Sequence, residues 1–267
     1  MITYLNGVLI KEEEAMVSSN DRGLTLGDGL FETMRVRDGI LERIELHTNR
    51  LHYGAAYLGI PVPLNTAELD RALKDTLVAN ELEEGVLRLT LTRGAAGRGL
   101  TVAQNNPPTL IITAADMPKS PDPANAWIAR TISRNEMSPL SQLKTISYLE
   151  NIIARRESDA KNANEAILLN SKGFIAEATI ANLFVVVNGR LMTPPIEDGA
   201  LPGVMRANIL SQLDCIEASI KPQIFSEASE GFLTNSLSIR PLVSVDEAPL
   251  GNGTVGSVTK QIIQLFG

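Results

Sequence analysis

The segment QLKTISYLENIIARR contains one residue, Lys144, whose amine could serve as a nucleophile or a base. The turn-forming letters SPLS precede it, and apolar residues recur at helical spacing from Ile146 to Ile153. This pattern places the amine near the start of a helix, where a lysine is ordinarily a solvated surface charge. A chemical role for Lys144 therefore requires partners elsewhere in the chain.

The residue types that perform other kinds of chemistry are scarce in this sequence. The histidines are His47 and His52 and the one cysteine is Cys215, so no zinc-binding spacing exists and we expect no metal. The sequence lacks the GxxxxGKS/T phosphate loop and the GxSxG nucleophile motif, and GDGLFE at residues 27–32 lacks the third glycine of a dinucleotide fingerprint. If the chain is an enzyme, we expect an organic cofactor to carry the difficult chemistry.

Charge and hydropathy limit the possible partners. The net charge of -7 and the pI near 5.0 argue against nucleic-acid binding, because no basic block offers phosphates a footprint. No run of 18 apolar residues and no secretory leader occurs, so we expect no membrane association. A single cysteine cannot form an internal disulfide, and the expected location is the cytoplasm.

The first part of the chain is expected to form an antiparallel sheet with two helices. Asn-Gly at residues 6–7 and Asp-Gly at residues 38–39 predict two-residue hairpin turns, because both turn residues must adopt positive φ. Helices are predicted over IELHTNRLHYGAAYLGI, which stops at Gly59, and over NTAELDRALKDTLVANEL, capped by Asn65 or Thr66. GVLRLTLTRG and TLIITAA are predicted strands.

A proline-rich stretch, DMPKSPDPANAW, precedes a second mixed block. We predict a small N-terminal α/β domain over residues 1–115, a linker over 116–126 and a larger C-terminal domain over 127–267. In that domain WIARTISRN, EAILLN, IANLFVVV, RLMTPP and EGFLTNS are predicted strands, with a hairpin at residues 188–189, and GVMRANILSQLD and VGSVTKQIIQLFG are predicted helices. Two successive blocks of mixed elements indicate an α/β (mixed α+β) fold.

Several segments, in order along nearly the whole chain, resemble those of the fold-type IV pyridoxal-phosphate enzymes. They are SNDRGLTLGDGLFETMRV, LHTNRLHYGAAYLGIP, LTRGAAGRGL, the stretch from LKTISYLENIIARR to IANLFVV, LPGVMR and TNSLSIRPL. The resemblance implies that family's two-domain, D-amino acid aminotransferase-like architecture. It also implies a homodimer and pyridoxal 5'-phosphate as the cofactor, which would bind in the C-terminal domain.

The resemblance assigns roles to residues that match the family's motifs. Lys144 matches the Schiff-base lysine, which binds the cofactor and moves a proton. Glu177 lies among apolar and small residues, where an unpaired carboxylate would be costly, and the family pairs this residue with the protonated pyridine nitrogen. The alternative for Glu177 is an exposed turn carboxylate. Arg50, on a predicted helix, matches the arginine that binds the cofactor phosphate.

The other phosphate ligands implied by the resemblance are at a helix start and in a turn. LPGVMRANIL places a Pro-Gly pair at a helix start, so the amides of Val204 and Met205 would point at an anion. Asn235 and Ser236 would complete the phosphate site, although small polar residues after a strand also form ordinary turns.

Within the family the sequence most resembles the aminodeoxychorismate lyases. The loop RGAAGRG at residues 93–99 has the lyase pattern, and Leu100 stands where D-amino acid transaminases have a substrate-binding histidine. The resemblance makes Arg98 a candidate ligand of a substrate carboxylate, Arg88 a candidate substrate-binding residue at a basic position of the lyases, and Thr33 a hydroxyl that assists proton transfer. The alternative for Arg98 is an arginine in a surface loop, and the alternative for Arg88 is a strand arginine that faces water. Thr33 would otherwise be an ordinary β-branched strand residue.

The expected reaction is the conversion of a small amino substrate, 4-amino-4-deoxychorismate, to 4-aminobenzoate and pyruvate, which belongs to folate biosynthesis. Formation of an aromatic ring would drive it, and no amino acceptor is needed. One alternative is a pyridoxal-phosphate-dependent transaminase of D-amino acids or small (R)-amines with a keto-acid acceptor. Another is a non-catalytic binding module on the same fold, which would be expected to lack Lys144 or Glu177, yet both are present.

Overall fold

The computed structural model describes residues 1–101 and 106–267, and the chain divides into two units. The first unit is Met1–Lys119 together with Lys144–Ser147, and the second is Ser120–Leu143 together with Tyr148–Gly267. The segment that carries Lys144 thus belongs to the first unit, whereas the sequence-based boundary puts it within residues 127–267.

The first unit contains a six-stranded antiparallel sheet in its described residues. The strand order is β2-β1-β6-β5-β3-β4. In chain order the elements are β1 (Ile2–Leu5), β2 (Val8–Lys11), α1 (Arg22–Leu26), β3 (Gly29–Arg37), β4 (Ile40–Leu41), α2 (Ile44–Leu58), α3 (Thr66–Ala79), β5 (Gly85–Thr92) and β6 (Thr109–Asp116).

The hairpin turns predicted for this unit are confirmed. Asn6 and Gly7 have positive φ between β1 and β2, and Asp38 and Gly39 have positive φ between β3 and β4. Such turns match the twist of the flanking strands, so they fix the register of both hairpins locally.

Helices α2 and α3 pack against the sheet and enclose the core of the first unit. Helix α2 ends at Gly59 in the left-handed conformation, and α3 begins with a capping box at Asn65, as predicted. Leu69 and Leu73 of α3 are fully buried. Burial of each such side chain contributes about 1.5–3 kcal/mol, so these residues fix the helix on the sheet.

The second unit contains a nine-stranded sheet in its described residues. The strand order is β12-β11-β10-β13-β14-β7-β8-β9, and β15 pairs with β14. In chain order the elements are β7 (Ala124–Ile128), α4 (Leu149–Asp159), β8 (Glu165–Leu169), β9 (Ile175–Ala178), β10 (Asn182–Val187), β11 (Arg190–Thr193), α5 (Val204–Gln212), β12 (Cys215–Glu217), β13 (Glu230–Thr234), β14 (Ile239–Val245), β15 (Ala248–Pro249) and α6 (Ser257–Phe266).

The central strand β10 is buried on both faces, which explains its continuous apolar sequence. Leu183 and Val185 belong to one hydrophobic cluster, while Phe184 belongs to a second cluster on the other face. Phe184 stacks on Phe232 with ring centroids 5.0 Å apart. Side chains of α5 and α6 complete this second cluster, so both predicted helices cover the same face of the sheet.

Helix α4 differs from the amphipathic helix that the sequence predicts. Leu149, Ile152 and Ile153 are exposed to 73%, 52% and 44%, and the buried positions include Asn151 and Ala154. Small side chains where α4 meets β7 and β8 let the helix approach the sheet closely, so its large apolar side chains face outward. The described residues contain no helix with the length and apolar character needed to cross a membrane.

Candidate active site

Lys144 lies in an extended segment that pairs with the start of β3. The Phe31 amide donates a hydrogen bond to the Lys144 carbonyl at 2.9 Å, and the Ile146 amide donates to the Gly29 carbonyl at 3.1 Å. Helix α4 begins only at Leu149, so the lysine is not at a helix start. Strand-like hydrogen bonds instead fix its backbone against the sheet of the first unit.

The aromatic ring of Phe31 contacts two cationic side chains. Lys144 Nζ lies 4.2 Å from the ring centroid, and Arg88 Cζ lies 3.8 Å from it. Thr33 pairs with Arg88 across β3 and β5, and the alternation of side chains puts Thr33 on the same face as Phe31. The structure therefore groups three residues that the sequence identified, Lys144, Arg88 and Thr33, on one face of the sheet.

Glu32 lies between Phe31 and Thr33, so its side chain points to the opposite face of β3, toward helix α2. Its carboxylate accepts hydrogen bonds from Nε and Nη2 of Arg50 at 2.8 Å and 2.6 Å. Nδ1 of His47 lies 2.6 Å from the same carboxylate. Arg50, the candidate phosphate ligand, is thus oriented by a two-pronged ion pair within the first unit.

The protonation states in this buried cluster follow from its partners. Burial would raise the pKa of Glu32, but Arg50 and His47 outweigh burial and hold that pKa below its usual value. Burial lowers the pKa of His47. Sequence reasoning missed Glu32 as the partner of Arg50, and His47 as a second partner of Glu32. The sequence contained one indication, the carboxylate of Glu32 within the apolar segment LFETM. A carboxylate in a buried strand needs a buried partner, so this pattern predicts an ion pair.

The loop after β5 carries Arg98, the second candidate carboxylate ligand. Arg98 is exposed and lines an open cleft of about 530 Å³ together with Thr25 and Leu26 of helix α1. The two candidate substrate arginines therefore occupy different places, with Arg88 on the sheet and Arg98 in a cleft beside α1.

Glu177 lies in β9, a strand that the sequence analysis did not predict. The residue is only 6% exposed, so the interpretation as an exposed turn carboxylate is wrong. Arg134 Nη2 lies 3.1 Å from Oε1, and the Leu201 amide donates to Oε2 at 2.9 Å. Arg134 also donates to the carbonyls of Gly199 and Ser141, at 3.2 Å and 2.9 Å, so this second unit holds the carboxylate rigidly.

The start of helix α5 has the form expected of an anion-binding site. Gly203 is the N-cap, and it contributes no side-chain hydrogen bond to the amides that follow. A Cβ atom at Gly203 would lie 1.9 Å from Asn182 Oδ1, so glycine is required for this close approach. The amides of Val204 and Met205 are therefore the first two of the helix, at the end where the helix dipole favours a negative charge.

Asn235 and Ser236 lie in a turn after β13. The side-chain oxygen of Asn235 accepts the amides of Leu237 and Ser238 at 2.9 Å and 3.1 Å. This arrangement is an Asx turn, the alternative that the sequence left open. The side-chain oxygen of Asn235 is therefore already engaged in hydrogen bonds within the turn. Ser236 is half-buried and lies in the same turn.

The first unit supplies a lysine amine, and the second unit supplies a buried carboxylate and a helix start without a side-chain cap. Each is a group that a phosphorylated pyridine cofactor can use. Residues 29–245 match the family model described as Amino-transferase class IV. The chain belongs to the class IV aminotransferase family, a family of enzymes, so the resemblance inferred from its motifs is confirmed at that level.

Individual relatives have different activities. A Methanocaldococcus jannaschii protein, provisionally named a branched-chain-amino-acid aminotransferase, is 34% identical over 100% of this chain and 95% of its own. The D-alanine aminotransferase of Bacillus licheniformis is 29% identical over 98% of this chain and 94% of its own. A crystal structure from Legionella pneumophila, provisionally named a 4-amino-4-deoxychorismate lyase, is 32% identical, covers 95% of each chain and has a TM-score of 0.88. This structural similarity confirms the mixed α/β fold.

Proposed function

We propose that this chain is a pyridoxal-phosphate-dependent lyase that converts 4-amino-4-deoxychorismate to 4-aminobenzoate and pyruvate, the reaction expected in folate biosynthesis. The observation that carries the proposal is the grouping of Thr33, Arg88 and Lys144 on the face of the sheet that carries Phe31. The Lys144 amine could remove a proton from the substrate, and the Thr33 hydroxyl could help to return one. The Arg88 guanidinium could bind a substrate carboxylate. The similarity to the Legionella structure supports the same assignment.

The residues present fit the cofactor. The Lys144 amine would bind its aldehyde, Glu177 would pair with the pyridine nitrogen, and Arg50 and the amides of Val204 and Met205 would bind its phosphate. The burial of Glu177 and the start of α5 without a side-chain cap support this fit, because a buried carboxylate can pair with a protonated ring nitrogen and helix-start amides can bind a phosphate. When bound, the cofactor supplies an electron sink for a carbanion formed beside the substrate nitrogen.

The protein side chains would handle the protons and the substrate charges. Lys144 would take the proton from the amine-bearing carbon, and Lys144 or the Thr33 hydroxyl would deliver a proton to the departing enolpyruvyl group. Arg88 and Arg98 would bind the substrate carboxylates, because a planar guanidinium can donate two parallel hydrogen bonds to a carboxylate.

A transaminase is the second candidate function. The relatives named as branched-chain and D-alanine aminotransferases favour it, because they match nearly the whole chain at identities close to that of the Legionella structure. This function would use the same Lys144 and Glu177 but would require a keto acid to remove the amino group from the cofactor. The substrate would then be a D-amino acid, a small (R)-amine or a branched-chain amino acid.

The same family resemblance motivates a proposal about assembly, namely that two copies of the chain form a homodimer. The outward face of α4, with Leu149, Ile152 and Ile153, supports it, because a cluster of exposed large apolar side chains usually marks an interface. Met137 and Leu140, which precede α4 in the sequence, are also exposed, to 79% and 51%. A second copy is the proposed occupant because most soluble oligomers pair identical surfaces around a twofold axis.

One experiment separates the two catalytic functions. Purified protein loaded with pyridoxal phosphate is mixed with aminodeoxychorismate, and pyruvate and 4-aminobenzoate are measured. Separate mixtures contain D-alanine or L-leucine with 2-oxoglutarate, and the amino product is measured. The lyase proposal predicts equal amounts of pyruvate and 4-aminobenzoate without any keto acid. Rapid amino transfer without release of pyruvate from aminodeoxychorismate would establish the transaminase instead.

A further inference from the structure

Arg22 is a buried arginine that joins helix α1 to the end of the loop carrying Arg98. It is 5% exposed and is the first residue of α1. Its Nη1 donates to the Gly99 carbonyl at 2.9 Å, and its Nη2 donates to the Leu100 carbonyl at 3.3 Å. A guanidinium has donors pointing in several fixed directions, so Arg22 can hold two successive carbonyls of the loop at once.

Asp28 fixes the other side of the same guanidinium. Its Oδ2 accepts Nε of Arg22 at 2.8 Å and Nε of Arg93 at 2.7 Å, and its Oδ1 accepts Nη2 of Arg93 at 3.1 Å. Arg93 also donates to the carbonyls of Leu58 and Gly59, at 2.7 Å and 2.8 Å, where α2 ends. Burial would raise the pKa of Asp28, but hydrogen bonds from Arg93 and Arg22 lower it below its usual value, so the anchor stays charged.

Backbone hydrogen bonds hold the first part of the loop. The Arg22 amide donates to the Gly94 carbonyl at 2.9 Å, and the Ala96 amide donates to the Asn20 carbonyl at 3.2 Å. Arg98 therefore lies between a backbone-bonded stretch ending at Ala96 and the two carbonyls that the Arg22 side chain binds. Loss of that side chain would remove the hydrogen bonds to the Gly99 and Leu100 carbonyls, on the C-terminal side of Arg98.

We propose that Arg22, anchored by Asp28, is a positioning residue that fixes Arg98 for binding a substrate carboxylate. The inference rests on the proposed function, in which Arg98 is such a ligand. An arginine on a fixed backbone loses less conformational entropy on binding than one on a mobile loop. Because Arg22 binds main-chain carbonyls, this positioning does not depend on the side chain at Leu100, where the sequence departs from the D-amino acid transaminases.

A double-mutant cycle tests the inference in the cofactor-loaded protein. The variants are Arg22→Lys, Arg98→Ala and the double variant, and the measurement is the calorimetric affinity for chorismate, which has a hydroxyl in place of the reacting amine. Lysine retains a charge for Asp28 but lacks the fork that spans both carbonyls. We expect each single variant to weaken chorismate binding on the order of tenfold or more, and the double variant to be no weaker than Arg98→Ala. Losses that multiply in the double variant would overturn the inference.

Hydrogen exchange provides a readout that is independent of catalysis and of ligand binding. In Arg22→Lys, amides of residues 98–101 should exchange faster, while those of α2 and of Ala96 keep their parental rates. Arg155→Lys is the matched control, because its ion pair with Asp159 is exposed and lies on α4. Unchanged exchange in the loop of Arg22→Lys overturns the positioning role, whatever reaction the enzyme catalyses. If the parent binds no chorismate and releases no pyruvate, the lyase proposal fails, and the cycle is measured with the KM for D-alanine.

Discussion

The Nζ atom of Lys144 lies 4.2 Å from the centroid of the Phe31 ring. This proximity depends on a main-chain hydrogen bond of 2.9 Å from the Phe31 amide to the Lys144 carbonyl. The lysine backbone is therefore positioned by a strand of the first unit, and the amine reaches the face that carries Thr33 and Arg88. Such rigid support favours a reactive amine, because catalysis requires the group to be held close to its working geometry.

We expect borohydride reduction in the presence of pyridoxal phosphate to attach the cofactor to Lys144. The attachment should be located by peptide mapping, and Lys144→Ala should lose both the label and turnover. Lys161 is an internal comparison, because its amine also lies beside an aromatic ring, 5.1 Å from the centroid of Trp127. A label on Lys161 in place of Lys144 would contradict the assignment.

Thr33 and Arg98 should affect different kinetic constants with aminodeoxychorismate. Thr33→Val should lower kcat with little change in KM, because a hydroxyl that only helps to move a proton adds little to ground-state binding. Arg98→Ala should raise KM, because loss of one charge-assisted contact costs about 1.5–3 kcal/mol. Thr33→Ser retains the hydroxyl and should keep most of the turnover. If Thr33→Val raised KM without lowering kcat, its role in proton transfer would be excluded.

Removal of Arg134 should destabilise the protein without cofactor more than the protein with it. Arg134→Met leaves the buried Glu177 carboxylate without its 3.1 Å ion pair, and breaking a buried pair costs roughly 3–5 kcal/mol. The pyridine nitrogen would supply a replacement cation, so pyridoxal phosphate should raise the melting temperature of this variant more than that of the parent. Arg130→Met is the control, because the Arg130 side chain is 55% exposed and its pair with Asp246 should contribute at most about 1 kcal/mol. Equal stabilisation of Arg134→Met and the parent by the cofactor would argue against the pairing.

Local signals in the sequence were sufficient for much of the secondary structure. The hairpin at Asn6 and Gly7, the end of α2 at Gly59 and the capping box at Asn65 each depend on residues close together in the chain. Their conformations are determined by positive φ or by short side-chain hydrogen bonds, which sequence patterns report directly.

The features that the sequence did not reveal depend on distant pairings. The strand-like contact of Lys144 with β3 joins segments far apart in the chain, and no local pattern encodes it. Strand β9, which carries Glu177, is only four residues long and buried throughout, so it lacks the alternation of a half-exposed strand. The sequence predicted a helix from the spacing of the apolar residues of α4 but did not predict that they are exposed, because periodicity does not show which face of a helix packs on the sheet.

The exposed face of α4 should hold two copies of the chain together. Replacing Ile152 by glutamate places a charge on that face and should shift the protein from dimer to monomer in light scattering. Glu150→Lys, also on α4, changes the charge at an exposed polar residue and serves as the control. If the parent were monomeric and fully active, the homodimer proposal would fail. A parent dimer that Ile152→Glu leaves intact would place the interface elsewhere.

Protonation of Glu157 in acid should lower the free energy of unfolding of the protein. The fluorescence of Trp127, which contacts Glu157, can be used to follow unfolding. Oε1 of Glu157 accepts the Trp127 indole N–H at 3.1 Å and the Arg130 amide at 2.8 Å, and Oε2 accepts the Thr131 amide at 3.0 Å. Burial alone would raise the pKa of Glu157, but these hydrogen bonds and one from the Thr131 hydroxyl lower it from 4.5 to about 2.

The unfolded chain therefore binds a proton at higher pH than the folded chain does. The contribution of Glu157 to stability is complete above pH 4.5 and is lost as the pH falls toward 2. Denaturant unfolding followed by fluorescence of Trp127, the single tryptophan, should show a smaller loss of stability over that range in Glu157→Gln than in the parent. Glu150→Gln, on the same helix, should behave like the parent. An identical acid dependence in Glu157→Gln and the parent would show that this carboxylate is not the group responsible.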